Sequence, residues 1–320
     1  MQTFRFVRLF STSRNVLLRT RGNVNTLTSD GFKFKSNIKR WFYGTGATGT
    51  LLGLSFWRTS STNDENSRYS VLPSKDKDVQ NVQLIIREAD ALYDNYLIDN
   101  AYAILRKHVH GTNPELLWRL ARVLCEKGKM SKDKEERKKF FMEAYNVCKK
   151  ALDNEPVEGS FGSHKWMAII LDYVGEIEGT KSRIQKSYDI KEHLNRALEI
   201  DPLDATTWYI LGVWHFSFAD MPSYQYYVAK AIFETPPSST YEEALNYFEK
   251  AETIQPGFYS KNTYSLAECY ERLGRNDEAR MYYIKAFKMP VITVDDKDVH
   301  EKALKKLKSL GVKEQELLNN

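Results

Sequence analysis

Residues 204–290 place apolar side chains at intervals of three and four positions, the spacing that puts them on one face of an α-helix. The residue types at those positions also recur in a fixed order. One half-unit begins with Trp208. An apolar residue follows three positions later, a glycine four positions later and a ring-bearing side chain seven positions later: Leu211, Gly212 and His215. A second spaces alanine, an aromatic residue, alanine and proline by four, three and five positions: Ala244, Phe248, Ala251 and Pro256. The pattern predicts paired amphipathic helices.

This order of residues is that of the tetratricopeptide repeat, a helix pair of about 34 residues that is stable only when neighbouring pairs stack on it. Trp208 and Ala244 are 36 positions apart, about 20 more than the repeat allows, so an insertion separates the two helices. The following unit needs no insertion. Its positions run in order: Leu266, Ala267, Tyr270, Gly274, Ala279, Tyr283 and Ala286, with Pro290 one residue early.

Three earlier units keep the second half of the pattern best. One opens at Trp166, Ile169, Ile170 and Tyr173 and closes at Ile190, Leu194, Ala197 and Pro202. The unit before it opens at Trp118 and Ala121 and closes at Ala144, Cys148, Ala151 and Pro156. The first and weakest has Ile85, Ala89, Leu92, Ala101, Leu105 and Pro114. With an amphipathic helix at about 295–310 as a cap, residues 79–312 are predicted to form an all-α, tetratricopeptide-like helical solenoid of about five helix pairs, followed by a tail at 313–320.

The net charge of +5 is unevenly distributed along the chain. Residues 1–40 hold nine Lys or Arg and one acid, a net +8, which leaves 38 basic and 41 acidic residues, a net −3, for residues 41–320. Because the repeat domain has no basic excess, a nucleic-acid-binding protein is disfavoured. The first forty residues are Arg-rich, Ser-rich and nearly free of acids, which is typical of a mitochondrial-type targeting leader. An unstructured basic tail is the alternative.

Residues 41–57 carry no charge and have aromatic residues at both ends. As a helix they would extend about 25 Å, the short end of a membrane span, so they are interpreted as a possible single transmembrane anchor. A continuation of the leader or a disordered segment is the alternative. Residues 58–78 are polar and are interpreted as a flexible linker.

The insertions differ between units, about ten residues in the Trp118 unit, eight in the Trp166 unit and twenty in the Trp208 unit. Insertions in a solenoid lie on one face, often the binding face. The largest is rich in aromatic residues: Phe216, Phe218, Tyr224, Tyr226, Tyr227 and Phe233. If the domain encloses an apolar pocket, the predicted lining residues are Trp166, Tyr173, Trp208, Trp214, Phe216 and Phe218; ordinary solenoid core is the alternative for each.

Residues 126–139 hold seven basic residues against four acids. The basic residues are Lys127, Lys129, Lys132, Lys134, Arg137, Lys138 and Lys139. One interpretation is a docking surface for an acidic partner, such as a tubulin tail or anionic lipid headgroups. The other is a solvated loop between helices.

Motifs of catalysis are absent from the sequence. It contains no nucleophile elbow, zinc-protease motif, phosphate-binding loop or paired-cysteine metal spacing. The three cysteines occupy helical core positions and are interpreted as buried thiols. Asp172, Glu176 and Glu178 are interpreted as a solvated helix face. The sequence predicts a protein that is not an enzyme and needs no cofactor or metal.

Three stretches resemble the regulator of microtubule dynamics family: residues 113–122, 235–252 and 256–262. The resemblance covers roughly residues 80–310. It implies a tetratricopeptide-like protein that associates with microtubules and spindle poles. One family member is in the mitochondrial outer membrane, tethers it to the endoplasmic reticulum and binds phospholipid in its repeat domain. The leader and anchor fit a mitochondrial member.

Together these features predict a scaffold that binds microtubules or other protein partners, anchored in a membrane at mitochondria. Location in the cytoplasm and at spindle microtubules is the alternative. A phospholipid-binding, lipid-transfer or organelle-tethering module is the alternative function. A scaffold needs a polar groove for an extended peptide, whereas a lipid module needs a closed apolar cavity.

Overall fold

A computed structural model describes residues 74–233, 236–292, 294–312 and 317, with side chains from residue 81 onward. The described chain is all-α, as predicted, and the leader, the anchor and residues 58–73 of the linker lie outside it. From Asp78 onward the described residues belong to one compact unit. The helices are α1 (Ser74–Asp94), α2 (Ile98–Leu105), α3 (Pro114–Met130), α4 (Lys134–Leu152), α5 (Phe161–Glu178), α6 (Thr180–Gln185), α7 (Ser187–Ile200), α8 (Ala205–Ala219), α9 (Ser223–Ile232), α10 (Tyr241–Ile254), α11 (Ser260–Arg272), α12 (Asn276–Lys288) and α13 (Val294–Ser309).

The helices pack as the repeat pattern predicts. α3 packs against α4, α5 against α7, α8 against α10 and α11 against α12. α2 packs on α3 at the start of the series, and α13 packs on both α11 and α12 at the other end, as a cap. Each unit thus buries its apolar face against the next one, which is how a solenoid builds a continuous core.

Polar side chains fix where several helices begin. Asn113 precedes Pro114, and its side-chain oxygen accepts hydrogen bonds from the backbone N–H groups of Glu115 (2.9 Å) and Leu116 (3.2 Å). Thr240 and Glu243 form a reciprocal capping box at the start of α10. These bonds satisfy N–H groups that have no partner within the helix, so each helix start is encoded locally.

Small residues of the repeat pattern lie where the paired helices cross. A Cβ atom on Gly212 of α8 would lie 2.6 Å from the ring of Phe248 on α10, closer than real Cβ atoms approach. Ala244 and Ala251, on the same side of α10 as Phe248, are fully buried. The repeat therefore needs glycine and alanine at these positions for steric reasons, since a larger side chain would separate the helices.

The insertions are helical. The insertion of the Trp166 unit forms α6, the insertion of the Trp208 unit forms α9, and these two helices pack against each other. The Trp118 unit instead has longer helices, because α3 continues to Met130 and α4 begins at Lys134. The interpretation of residues 126–139 as an inter-helix loop was therefore wrong. Only residues 131–133 separate the two helices.

The interpretation of the acids on α5 as a solvated face was wrong for Asp172. Its carboxylate is 4% exposed and accepts two hydrogen bonds from Arg183 of α6, from Nε at 2.9 Å and from Nη2 at 3.0 Å. Burial raises the pKa of Asp172, and the Arg183 cation opposes that rise. This ion pair joins the insertion helix α6 to the core of the Trp166 unit.

Candidate binding surfaces

Three of the seven basic residues in 126–139 are engaged within the fold. Lys127 pairs with Asp99, and its ammonium lies 5.1 Å from the ring centroid of Tyr102. Lys129 pairs at 2.8 Å with Glu126, whose side chain is almost fully buried. Arg137 donates a hydrogen bond to the backbone oxygen of Ser131 at 3.2 Å. Lys127 therefore joins α3 to α2, Lys129 pairs within α3, and Arg137 holds the turn between α3 and α4.

The other four residues form what we call the basic surface: Lys132, Lys134, Lys138 and Lys139. All four are exposed, and among the described contacts none of them forms an ion pair. Lys134 and Lys138 are one helical turn apart on α4 and so share a face. Glu135 lies one turn before Lys139 and offsets part of its charge. Asp133 and Glu136 are exposed in the same segment, so residues 132–139, with Arg137 included, keep a net excess of two positive charges.

A cavity of about 360 Å³ lies where the end of α8 meets α9 and the segment before α10. Phe218 and Pro237 are buried in its wall, whereas Tyr226 and Tyr227 are exposed at its edge. We call this the α9 cavity. Its lining residues are Phe218, Met221, Ser223, Tyr226, Tyr227, Pro237, Ser238 and Ser239.

Of the six residues predicted to line an apolar pocket, Phe218 lines the α9 cavity. Trp166, Tyr173 and Trp214 lie in the core, where the indole N–H of Trp214 donates to the backbone oxygen of Ser187 at 2.8 Å. Trp208 and Phe216 are partly buried against α10. The structure thus brings three aromatic residues of the largest insertion together, Phe218, Tyr226 and Tyr227, but does not unite the predicted six.

A histidine supports the wall of the α9 cavity. His215 Nδ1 lies 2.7 Å from the Ser239 hydroxyl, which in turn donates to Glu243 Oε2 at 2.7 Å. Burial, assisted by the nearby Lys191 cation, lowers the pKa of His215 to about 4. The imidazole is therefore neutral at physiological pH. In a catalytic triad the serine and the acid contact opposite nitrogens of the imidazole. Here Ser239 and Glu243 both face Nδ1, so the arrangement positions the segment before α10 and is not a triad.

A second histidine cluster joins α5 and α7. His164 and His193 approach to 2.8 Å between their Nδ1 atoms, and His164 Nε2 lies 3.1 Å from the Glu155 carboxylate. Burial is the main cause that lowers the pKa of His193 to about 4, and the neighbouring His164 contributes to the same shift. Burial also lowers the pKa of His164, although Glu155 opposes that shift. Both rings are therefore held in their neutral forms within the fold.

We expect the protein to lose stability as the pH falls from about 7 towards 5. A histidine in the unfolded chain has a pKa near 6.5, whereas His193 in the folded chain has a pKa of about 4. Between these pH values protonation favours the unfolded chain, so stability falls as the pH falls. Thermal unfolding at several pH values measures the effect. His193→Gln should show a smaller decline of Tm with falling pH. A decline as steep as that of the unchanged protein would contradict this assignment.

The part of the chain that the structure describes contains neither a metal site nor a membrane-spanning helix. No group of three or more His, Cys, Asp or Glu side chains there could hold a metal ion. No helix there is both long and apolar enough to cross a membrane. The predicted anchor at 41–57 lies outside those residues. The three cysteines are free and buried, as predicted.

One partly buried network of charged residues was missed in the sequence. Asp90 of α1 accepts hydrogen bonds from Arg119 (2.9 and 3.0 Å) and Arg122 (2.6 Å) of α3. The Arg122 guanidinium also lies 3.8 Å from the ring centroid of Tyr93. The spacing that indicated this first unit, from Ile85, Ala89 and Leu92 to Ala101, Leu105 and Pro114, carries no information about charged residues between those positions. Asp90 therefore gave no sign of its partners.

A family model matches most of this chain, and several solved structures are similar to it. The family model described as regulator of microtubule dynamics protein 1-3 matches residues 85–311. Among solved structures, a thermophilic TPR protein from Thermus thermophilus is similar, at 18% identity and a TM-score of 0.48 over 69% of this chain and 98% of that one. Another similar structure is YrrB, at 16% identity and a TM-score of 0.41 over 74% of this chain and 98% of that one.

Curated relatives carry the same family name. Regulator of microtubule dynamics protein 1 of Pongo abelii is 37% identical over 92% of this chain and 90% of that protein. The Mus musculus protein 1 is 42% identical over 72% of this chain and 75% of that protein. Regulator of microtubule dynamics protein 3 of Rattus norvegicus is 32% identical over 70% of this chain and 49% of that protein. This chain, an all-α repeat protein throughout its described part, belongs to the family of regulators of microtubule dynamics proteins 1 to 3.

Proposed function

We propose that this protein is a non-catalytic scaffold that binds the acidic surface of microtubules through its basic surface. The observation that carries the proposal is the exposure of Lys132, Lys134, Lys138 and Lys139 without an ion-pair partner in the described chain. The family name supports the choice of microtubules as the acidic partner. Exposed lysines at an interface steer association and add affinity that salt weakens, because screening shortens the range of the attraction.

Charge reversal of the basic surface should weaken microtubule binding about tenfold or more. The variant replaces Lys132, Lys134, Lys138 and Lys139 with Glu, and co-sedimentation of the full chain with polymerised tubulin measures its affinity. Each exposed lysine contributes a fraction of a kcal/mol through charge, and together they exceed the 1.4 kcal/mol that corresponds to tenfold. Binding of the unchanged protein should fall as the salt concentration rises.

A matched control separates the surface from net charge. Lys230, Lys250, Lys288 and Lys305 are also exposed, but they are scattered over four other helices. Their replacement with Glu changes the net charge by the same amount and should leave microtubule binding close to that of the unchanged protein. Equal losses in both variants, or no loss in either, would reject the basic surface as the site.

For location, we propose that residues 1–40 direct the chain to mitochondria and that residues 41–57 anchor it in a membrane there. The support is the +8 charge of an acid-poor, Arg-rich stretch followed by 17 uncharged residues. Fusion of residues 1–57 to a fluorescent protein tests both parts, with residues 1–40 alone as the comparison. A diffuse cytosolic signal from the longer fusion would favour the cytoplasmic and spindle alternative.

Phospholipid binding is the alternative function that we propose to test alongside. Its support is the aromatic enrichment of the insertion in the Trp208 unit, which holds Phe216, Phe218 and four further aromatic residues. Native mass spectrometry of the full chain would detect a co-purified phospholipid. The informative variant is Phe216→Asp, since Phe216 is only partly buried and Trp214 is part of the core. A lipid-free protein that still binds microtubules would leave the scaffold as the function.

A further inference from the structure

The α9 cavity combines aromatic rings with hydroxyl groups and lacks charge. None of its eight lining residues is an Asp, Glu, Lys, Arg or His. The rings of Phe218, Tyr226 and Tyr227 and the ring of Pro237 provide apolar contact area. Five hydroxyl groups belong to the lining, and Ser239 alone among them is bound within the fold, to His215 and Glu243. The hydroxyls of Ser223, Tyr226, Tyr227 and Ser238 have no hydrogen-bond partner in the described part of the chain.

The two edge tyrosines are placed to contact a ligand. Tyr227 is 71% exposed and Tyr226 is 45% exposed, although both are large apolar rings. Their ring centroids are 6.5 Å apart with the planes at 70°, so the two rings meet edge to face, and the buried Phe218 lines the same cavity. Tyrosine serves well at such a position because its ring packs against apolar groups while its hydroxyl forms hydrogen bonds.

These features discriminate between classes of ligand. A charged ligand is disfavoured, because no lining residue would compensate the loss of its hydration. An acyl chain is disfavoured as well, because it would displace water from the four unpaired hydroxyls without replacing the hydrogen bonds. An extended peptide meets both requirements: its backbone carbonyls accept hydrogen bonds, and proline rings pack against tyrosine without carrying charge.

We propose that the α9 cavity binds an extended, uncharged, proline-containing segment of a partner protein. The proline ring lies against Tyr226, Tyr227 and Phe218, and carbonyl oxygens of the peptide accept hydrogen bonds from the free tyrosine and serine hydroxyls. A cavity of about 360 Å³ accommodates one or two such side chains and leaves the rest of the peptide on the surface of α9. This inference is independent of microtubule binding, since the basic surface lies on α4 and the segment before it.

Fluorescence anisotropy of the full chain tests the proposal. The probe is a fluorescein-labelled, end-capped peptide of sequence Ala-Pro-Pro-Leu-Pro-Pro-Ala, and the control peptide has alanine in place of every proline. We expect saturable binding of the proline peptide and about tenfold weaker binding to Tyr227→Ala, because exposed aromatic anchors carry much of the affinity of such sites. Tyr227 is mostly exposed, so its truncation should leave the fold intact, as circular dichroism can verify.

Tyr224→Ala is the matched control. Tyr224 is on the same helix and 58% exposed, but it does not line the cavity. It should bind the proline peptide as the unchanged protein does. Equal weakening by Tyr224→Ala and Tyr227→Ala, or equal binding of the two peptides, would overturn the proposal. Binding of a fluorescent palmitate that Tyr227→Ala abolishes, without binding of the peptide, would identify an acyl site and overturn it too.

Discussion

Replacement of Arg183 with Met is expected to lower the free energy of unfolding by about 3 to 5 kcal/mol. Arg183 is the partner of Asp172, and both side chains are less than 10% exposed. Without the guanidinium, Asp172 would keep a buried charge beside Glu176 or take up a proton, and either state is costly. Urea unfolding of the full chain, followed by circular dichroism at the helix band, measures the change.

Two further variants show whether the loss comes from the buried charge. Arg196→Met removes a partly exposed arginine that pairs with Glu199 on α7 and donates to the backbone oxygen of Glu158 at 3.3 Å. Because this pair is open to solvent, its loss should cost about 1 kcal/mol or less. Asp172→Leu combined with Arg183→Met removes both charges, and it should recover a large part of the stability that Arg183→Met loses. A double variant as unstable as the single one would show that packing, and not the unpaired carboxylate, dominates.

Ala251→Trp is expected to destabilise the Trp208 unit by about 1 to 3 kcal/mol or more. Ala251 is fully buried on α10 in the helix pair where Gly212 of α8 has no room for even a methyl group beside Phe248. A tryptophan there must push α10 away from α8. Differential scanning calorimetry should show a lower Tm.

The control for this substitution is Asn246→Trp, on the same helix at an exposed position. It adds the same side chain without crowding the helix pair, so its Tm should stay close to that of the unchanged protein. A Tm for Ala251→Trp that is also unchanged would mean that the repeat is placed wrongly on the sequence.

The fold was largely predictable because each repeat encodes its own packing. Glycine and alanine occupy fixed positions of the repeat, such as Gly212 and Ala251, because the paired helices cross there. Asn113 and Thr240 fix helix starts through hydrogen bonds to residues close in sequence. The capping helix was predicted at 295–310 and is observed at Val294–Ser309. Periodicity and local chemistry determine such features, and both can be read from the sequence.

The candidate sites were less predictable because they depend on contacts between insertions. Apolar spacing gave no indication that Asp172 would be buried, since its partner Arg183 is on a helix that the repeat pattern does not contain. Aromatic enrichment did identify the region of Phe218, Tyr226 and Tyr227, but the depth of the cavity depends on how α9 and the segment before α10 fold back. Interactions across irregular connections carry no periodic signal.

Likewise, the sequence located the excess of lysines at 126–139 without showing which of them are free. Lys127 pairs with an acid on α2 and Lys129 with an acid on its own helix, whereas Lys134 and Lys138 form no ion pair in the described part of the chain. The three-dimensional packing decides this difference. The basic surface is thus a smaller set than the predicted one.

Microtubule binding through charge, as proposed, is tested most directly by comparing intact microtubules with microtubules whose acidic C-terminal tails have been removed by limited proteolysis. Co-sedimentation of the full chain at constant salt gives both affinities. Our account predicts strong binding to intact microtubules, and a loss on tail removal similar to the loss caused by reversing Lys132, Lys134, Lys138 and Lys139. Unchanged binding to tail-free microtubules, or no binding to intact ones, would contradict it.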